Sequence, residues 1–182
     1  VVRENTSHTI GGNSDNKKNE ITNHNYGIQF SSSSGATTEP IQNITVTNNN
    51  IHDNTSHGLY CDRSLNYATG TYTYEITVTG NTFDGNGGSG LYAQGCSLDI
   101  QDNIATDNAD YGMVVTSTEQ PDDTAGYSNP YDALSPNNVS DDLVSQPRIT
   151  GNTFGGNTDG GLWLMDAEPT NASTVISGNT FN

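Results

Sequence analysis

Apolar residues along this chain recur in short alternating groups instead of helical faces. Ile44/Val46, Ile76/Val78 and Leu98/Ile100 alternate with polar neighbours, as a strand with one buried face requires. A tight turn separates each pair from a second apolar position, occupied by Ile51, Phe83, Ala105, Phe154 and Phe181 in successive segments. A polar turn then leads to Gly and another alternating pair: Ile28/Phe30, Leu59/Cys61, Leu91/Ala93, Met113/Val115 and Leu162/Leu164. A helical period fits none of this, so each segment is predicted to form three short strands.

The segments are copies of one another. ITVTNNNIHDNTSHGLYC from Ile44 and ITVTGNTFDGNGGSGLYA from Ile76 match in register throughout. LDIQDNIATDNADYGMVV from Leu98 and PRITGNTFGGNTDGGLWL from Pro147 keep the frame, a shorter copy starts at Asn19, and TVISGNTFN closes the chain as half a copy. Repeats of this length signal a solenoid, in which each unit buries its apolar face only against its neighbours.

Asn19, Asn49, Asn81, Asn103, Asn152 and Asn179 hold one position in the frame. An amide at a sharp bend can bond the turn backbone and its counterpart one strand spacing away, about 4.8 Å, so these residues are predicted to stack as an internal ladder. A second recurring Asn (54, 86, 108, 157) and the Gly at 27, 58, 90, 112 and 161 are expected to serve bends with positive φ.

Composition alone points the other way. Only 30% of the 182 residues are hydrophobic and mean hydropathy is -0.66, values that lean towards disorder until the repeats are recognised. Five Lys and Arg stand against 21 Asp and Glu, for a net charge of -16, which disfavours nucleic acid and anionic membranes as partners. The acidic bias suits a protein of concentrated salt, with calcium-dependent assembly as the alternative. No apolar run is long enough for membrane insertion, and the N-terminus does not read as a signal peptide. Sequons at Asn5, Asn43, Asn54, Asn138 and Asn171 fit an exported protein.

The repeated frame resembles the right-handed parallel β-helix repeats of the pectate-lyase-like superfamily, built from copies of V-x-x-N-x-F-x-x-N-x-x-x-G-I. TIGGN at Thr9–Asn13, followed by NEI and YGI, resembles a further coil of this kind. The resemblance implies an all-β, right-handed parallel β-helix of about six coils, occupying residues 1–182 as a single domain, with 117–146 as an inserted loop. Neither end carries a capping helix, as expected of a segment of a longer chain or of copies stacking end to end.

Insertions follow the Gly strand at Ser31–Gln42, Asp62–Glu75, Gln94–Ser97, Ser117–Gln146 and Asp166–Ser173, so loops are expected to wall one face. Beside them the outward position of the Gly strand reads Gln29, Tyr60, Tyr92, Val114 and Trp163. Aromatics in such a column either form a platform for sugar rings or cover the sheet beneath the loops.

The leading expectation is therefore a secreted or cell-surface module that recognises polysaccharide through Gln29, Tyr60, Tyr92 and Trp163. The resemblance also implies a lyase or epimerase alternative, with His57 as base, Tyr60 as acid and Arg63 neutralising a substrate carboxylate. A structural or adhesive filament or viral spike element without a sugar site is the third reading. No cofactor is required, although Asp122/Asp123 and Asp141/Asp142 could bind calcium weakly. NTDG at Asn157–Gly160 and the fragment at Ser56–Gly58 echo polygalacturonase motifs in reversed order, so no hydrolase role is assigned. Cys61 and Cys96 are either bridged between coils or free and buried.

Overall fold

A computed structural model describes residues 8–12, 18–31, 43–62, 76–94, 96, 98–116, 147–165 and 175–182. The first coil comprises β1 (His8–Gly11), β2 (Glu20–Thr22) and β3 (Ile28–Ser31), and the second β4 (Ile44–Thr47), β5 (Asn50–His52) and β6 (Leu59–Asp62). The third coil has β7 (Ile76–Thr79), β8 (Thr82–Asp84) and β9 (Leu91–Gln94), and the fourth β10 (Leu98–Gln101), β11 (Ile104–Thr106) and β12 (Tyr111–Thr116). The fifth has β13 (Arg148–Thr150), β14 (Thr153–Gly155) and β15 (Gly160–Met165), and β16 (Val175–Ser177) and β17 (Thr180–Phe181) begin a sixth.

Corresponding strands pair in parallel, producing two six-stranded sheets and one five-stranded sheet. The first contains β1, β4, β7, β10, β13 and β16; the second β2, β5, β8, β11, β14 and β17; the third β3, β6, β9, β12 and β15. Register follows the sequence repeat, with Ile44 opposite Ile76, Ile51 opposite Phe83 and Leu59 opposite Leu91. The inward residues of all three sheets meet in one core, where Val46, Ile51, Leu59, Phe83, Leu91, Ile100 and Met113 are fully buried. A chain with little apolar content can do this because a coil needs only a few inward side chains, such as Ile44, Val46, Ile51, Leu59 and Cys61, each packed against the coils on both sides.

The Asn ladder is continuous. Nδ2 of Asn19 donates to Oδ1 of Asn49 at 2.8 Å, and the same bond links Asn49 to Asn81, Asn81 to Asn103, Asn103 to Asn152 and Asn152 to Asn179 at 2.9–3.0 Å. The second recurring Asn does more than turn the chain. Asn54, Asn86, Asn108 and Asn157 form another buried ladder, with amide bonds of 2.9–3.0 Å at the next corner.

Positive φ falls instead on the residue just before each ladder Asn from the second coil onward. It is Asn48, Gly80, Asp102, Gly151 or Gly178 at one corner, and Asp53, Gly85, Asp107 or Gly156 at the other. Gly58 and its equivalents are required for a different reason. A Cβ at Gly58 would lie 2.6 Å from the Gly90 carbonyl oxygen and 2.9 Å from the Phe83 ring, so only hydrogen fits between the coils there.

Cys61 and Cys96, both fully buried, form a disulfide between the second and third coils, which resolves the two alternatives left by the sequence. The variable connections all join the third sheet to the first, at one corner of the coil. The first coil also departs from the constant turns expected around the second strand, since residues 12–19 separate β1 from β2 where residues 48 and 49 suffice in the next coil. The inserted segment 117–146 lies outside the described residues.

Candidate functional site

The outward face of the third sheet carries two aromatic columns. The predicted column is in perfect register: Gln29 opposite Tyr60, Tyr60 opposite Tyr92, Tyr92 opposite Val114 and Val114 opposite Trp163. A second column is formed by the residue preceding each Gly, reading Tyr26, His57, Ser89, Tyr111 and Gly160. The two interlock between coils. Tyr26 stacks on Tyr60 and His57 stacks on Tyr92, each with centroids 4.8 Å apart, while Tyr111 lies 5.2 Å from Trp163.

Further stacking contacts of 5.8–6.0 Å join Tyr26 to His57, His57 to Tyr60 and Tyr60 to Tyr92. Neighbouring rings thus flank Tyr60 from the coils on both sides and cover the face of Tyr92 turned to the preceding coil, because the coil spacing approaches the thickness of a ring stack. The rings present their edges outward. Trp163 is the most exposed ring of the row at 42%, whereas Val114, on the same column, is buried at 1%.

His57 sits at the centre of this row and is half-buried. Its Nδ1 accepts the Ser89 backbone N–H at 2.9 Å, so Nδ1 is unprotonated and the neutral ring carries its proton on Nε2. Burial lowers the pKa of His57 below its ordinary value, with the negative charge of Asp110 opposing in part. In this tautomer neither ring nitrogen has a free lone pair with which to take a proton from a substrate.

Residues 3–123 match the family described as a right-handed β-helix region. The chain belongs to this family. No curated protein matches the sequence. Among solved structures, the β-helix chain is similar to the A-module of the mannuronan C-5 epimerase AlgE4 from Azotobacter vinelandii, with 24% identity over 69% of this chain and 32% of that one, at TM-score 0.42. It is also similar to the periplasmic alginate epimerase AlgG, with 15% identity over 82% of this chain and 35% of that one, at TM-score 0.47. The chain therefore spans about a third of the length of each of these structures.

Of the site residues expected from sequence, this β-helix brings Tyr60, Tyr92 and His57 together, and Gln29 and Trp163 extend the row at either end. Arg63 lies outside the described residues, as do Asn5, Asn138, Asn171 and the carboxylate pairs Asp122/Asp123 and Asp141/Asp142. Asn43 is exposed, whereas Asn54 is 2% exposed within the second ladder and has no room for a glycan. Among the described residues, no three His, Cys, Asp or Glu side chains converge as a metal site would require. The second sheet carries a separate polar cluster: His52 bonds Asp53 at 2.8 Å and Glu20 at 3.2 Å, and these carboxylates, Asp53 first, hold its pKa above the ordinary value.

Tyr26 and Tyr111 were not singled out by sequence reasoning. The frame contained their signal, since the position before Gly is aromatic or His in three of the five coils.

Proposed function

We propose that this β-helix is a polysaccharide-recognition module of a secreted or cell-surface protein, with the aromatic row of the third sheet as its binding face. The observation that carries the reading is the row itself. Tyr26, His57, Tyr60 and Tyr92 form one continuous stack across three coils, and Tyr111 and Trp163 continue the line. Five strands at the parallel spacing extend it over about 19 Å, the length of several sugar units. A stack seen edge-on offers hydroxyls and ring C–H edges to hydrogen-bond and pack against a chain lying along the solenoid axis, and Trp163 adds an exposed ring at one end. The Cys61–Cys96 disulfide supports an oxidising location.

The lyase or epimerase alternative assigns His57 as base, Tyr60 as acid and Arg63 as neutraliser. The tautomer set by Ser89 weighs against that assignment of His57. A glycan array scored for both binding and unsaturated product separates the readings: binding without product is expected. Unsaturated or epimerised product that disappears in His57→Ala would replace recognition by catalysis.

A further inference from the structure

Resting on the recognition reading above, we infer that the aromatic face takes a glycan free of acidic groups, with His57 donating Nε2–H to a neutral hydroxyl or ring oxygen, and that polyuronates are excluded from it. Two independent observations carry this. The first is the tautomer. The Ser89 N–H occupies Nδ1, so whatever meets the outer edge of His57 encounters a donor on an uncharged ring. A neutral oxygen is the matching partner, whereas a carboxylate would be desolvated against the row without a counter-charge among the described residues.

The second observation is the charge around the row. Asp62 ends β6 beside Tyr60, and Asp110 faces His57 closely enough to bias its titration. Asp159 stands one coil beyond Asp110, joined to it by a bond from its backbone N–H to the Asp110 carbonyl at 3.0 Å. The described lysine and arginine are elsewhere: Lys18 precedes β2, and Arg148 lies on the first sheet, donating from Nε to Asp99 at 2.8 Å. With a net charge of -16 over the whole chain, an approaching polyanion meets repulsion both at long range and at the surface. A neutral glycan meets neither, and an amino glycan is attracted.

The test measures binding of the intact chain to immobilised neutral, amino and uronic glycans, including alginate and polygalacturonate, at about 0.15 M salt. Binding is expected only among glycans without carboxylates or sulfates. For the best of these, His57→Phe, which keeps a ring in the stack and removes the donor, should weaken affinity roughly fivefold with unchanged circular dichroism. Nitrogen chemical shifts should show Nδ1 unprotonated and Nε2 protonated, with Nε2 shifting on addition of the glycan. Binding of alginate or polygalacturonate, particularly if lost in Arg63→Gln, would overturn the inference while leaving polysaccharide recognition intact. A wild-type affinity retained in His57→Phe would remove the donor role. Absence of binding to any glycan would overturn both this inference and the reading on which it rests.

Discussion

Side-chain amides do much of the structural work that apolar volume does in other folds. Asn103 donates through Nδ2 to Asn152 Oδ1, Val78 O and Gln101 O, and accepts from both nitrogens of Asn81, so its removal strands several buried groups. Asn103→Ala is expected to cost about 1–3 kcal/mol for each group left unpaired, read from urea denaturation. Asn182, exposed at the last position, should be nearly neutral as a control. Equal losses at the two sites would contradict the ladder.

The two partnered histidines should pull the pH profile in opposite directions. His57 has a folded pKa below 6.5, so the unfolded chain takes up the proton first; its contribution is present above 6.5 and fades as pH falls through the folded value. His52 has a folded pKa above 6.5, so its contribution is present below 6.5 and fades as pH rises through that value. His57→Phe should therefore flatten the acid limb of a stability profile, and His52→Gln the limb above 6.5. If His57→Phe leaves the acid limb unchanged, the buried neutral ring is not the source of it.

Elements were more legible in the sequence than the site. Strand positions, inward faces and the first ladder could be read because one frame recurs in register, and every inward pair from Ile28/Phe30 to Leu162/Leu164 falls on the third sheet as expected. The second ladder was less visible, since Asn54, Asn86 and Asn108 sit beside residues whose φ is positive and share the composition of any turn. The interlocked rings were harder still: the frame marks the position before Gly as aromatic or His in three coils, but that Tyr26 meets Tyr60 across coils depends on side-chain direction, which the frame does not record. At this scale the disulfide is the clearest handle. It ties β6 to the short turn after β9 across a separation of 35 residues, and Cys61→Ser with Cys96→Ser should lower stability by about 2–4 kcal/mol. No change in denaturation midpoint on reduction would contradict the bridge.

For the whole molecule, charge and shape act together. A solenoid stacks equivalent positions at about 4.8 Å, so a net charge of -16 accumulates along an elongated surface instead of being dispersed over a globule. The Debye length rises from about 3 Å at 1 M salt to about 30 Å at 0.01 M, so the melting temperature should fall across that range. A melting curve indifferent to NaCl would remove the high-salt reading, and recovery with millimolar calcium alone would point to specific carboxylate sites.

The aromatic row is where fold and proposed function meet, and the most direct measurement is the affinity of the best array glycan for the parent, Tyr92→Ala and Trp163→Ala, alongside circular dichroism of each. Trp163 is exposed and Tyr92 points outward, so both variants should keep the fold while affinity falls by about 1–2 kcal/mol. Loss of the fold in both variants, with no glycan bound by the parent, would show that the rings serve only to pack the coils.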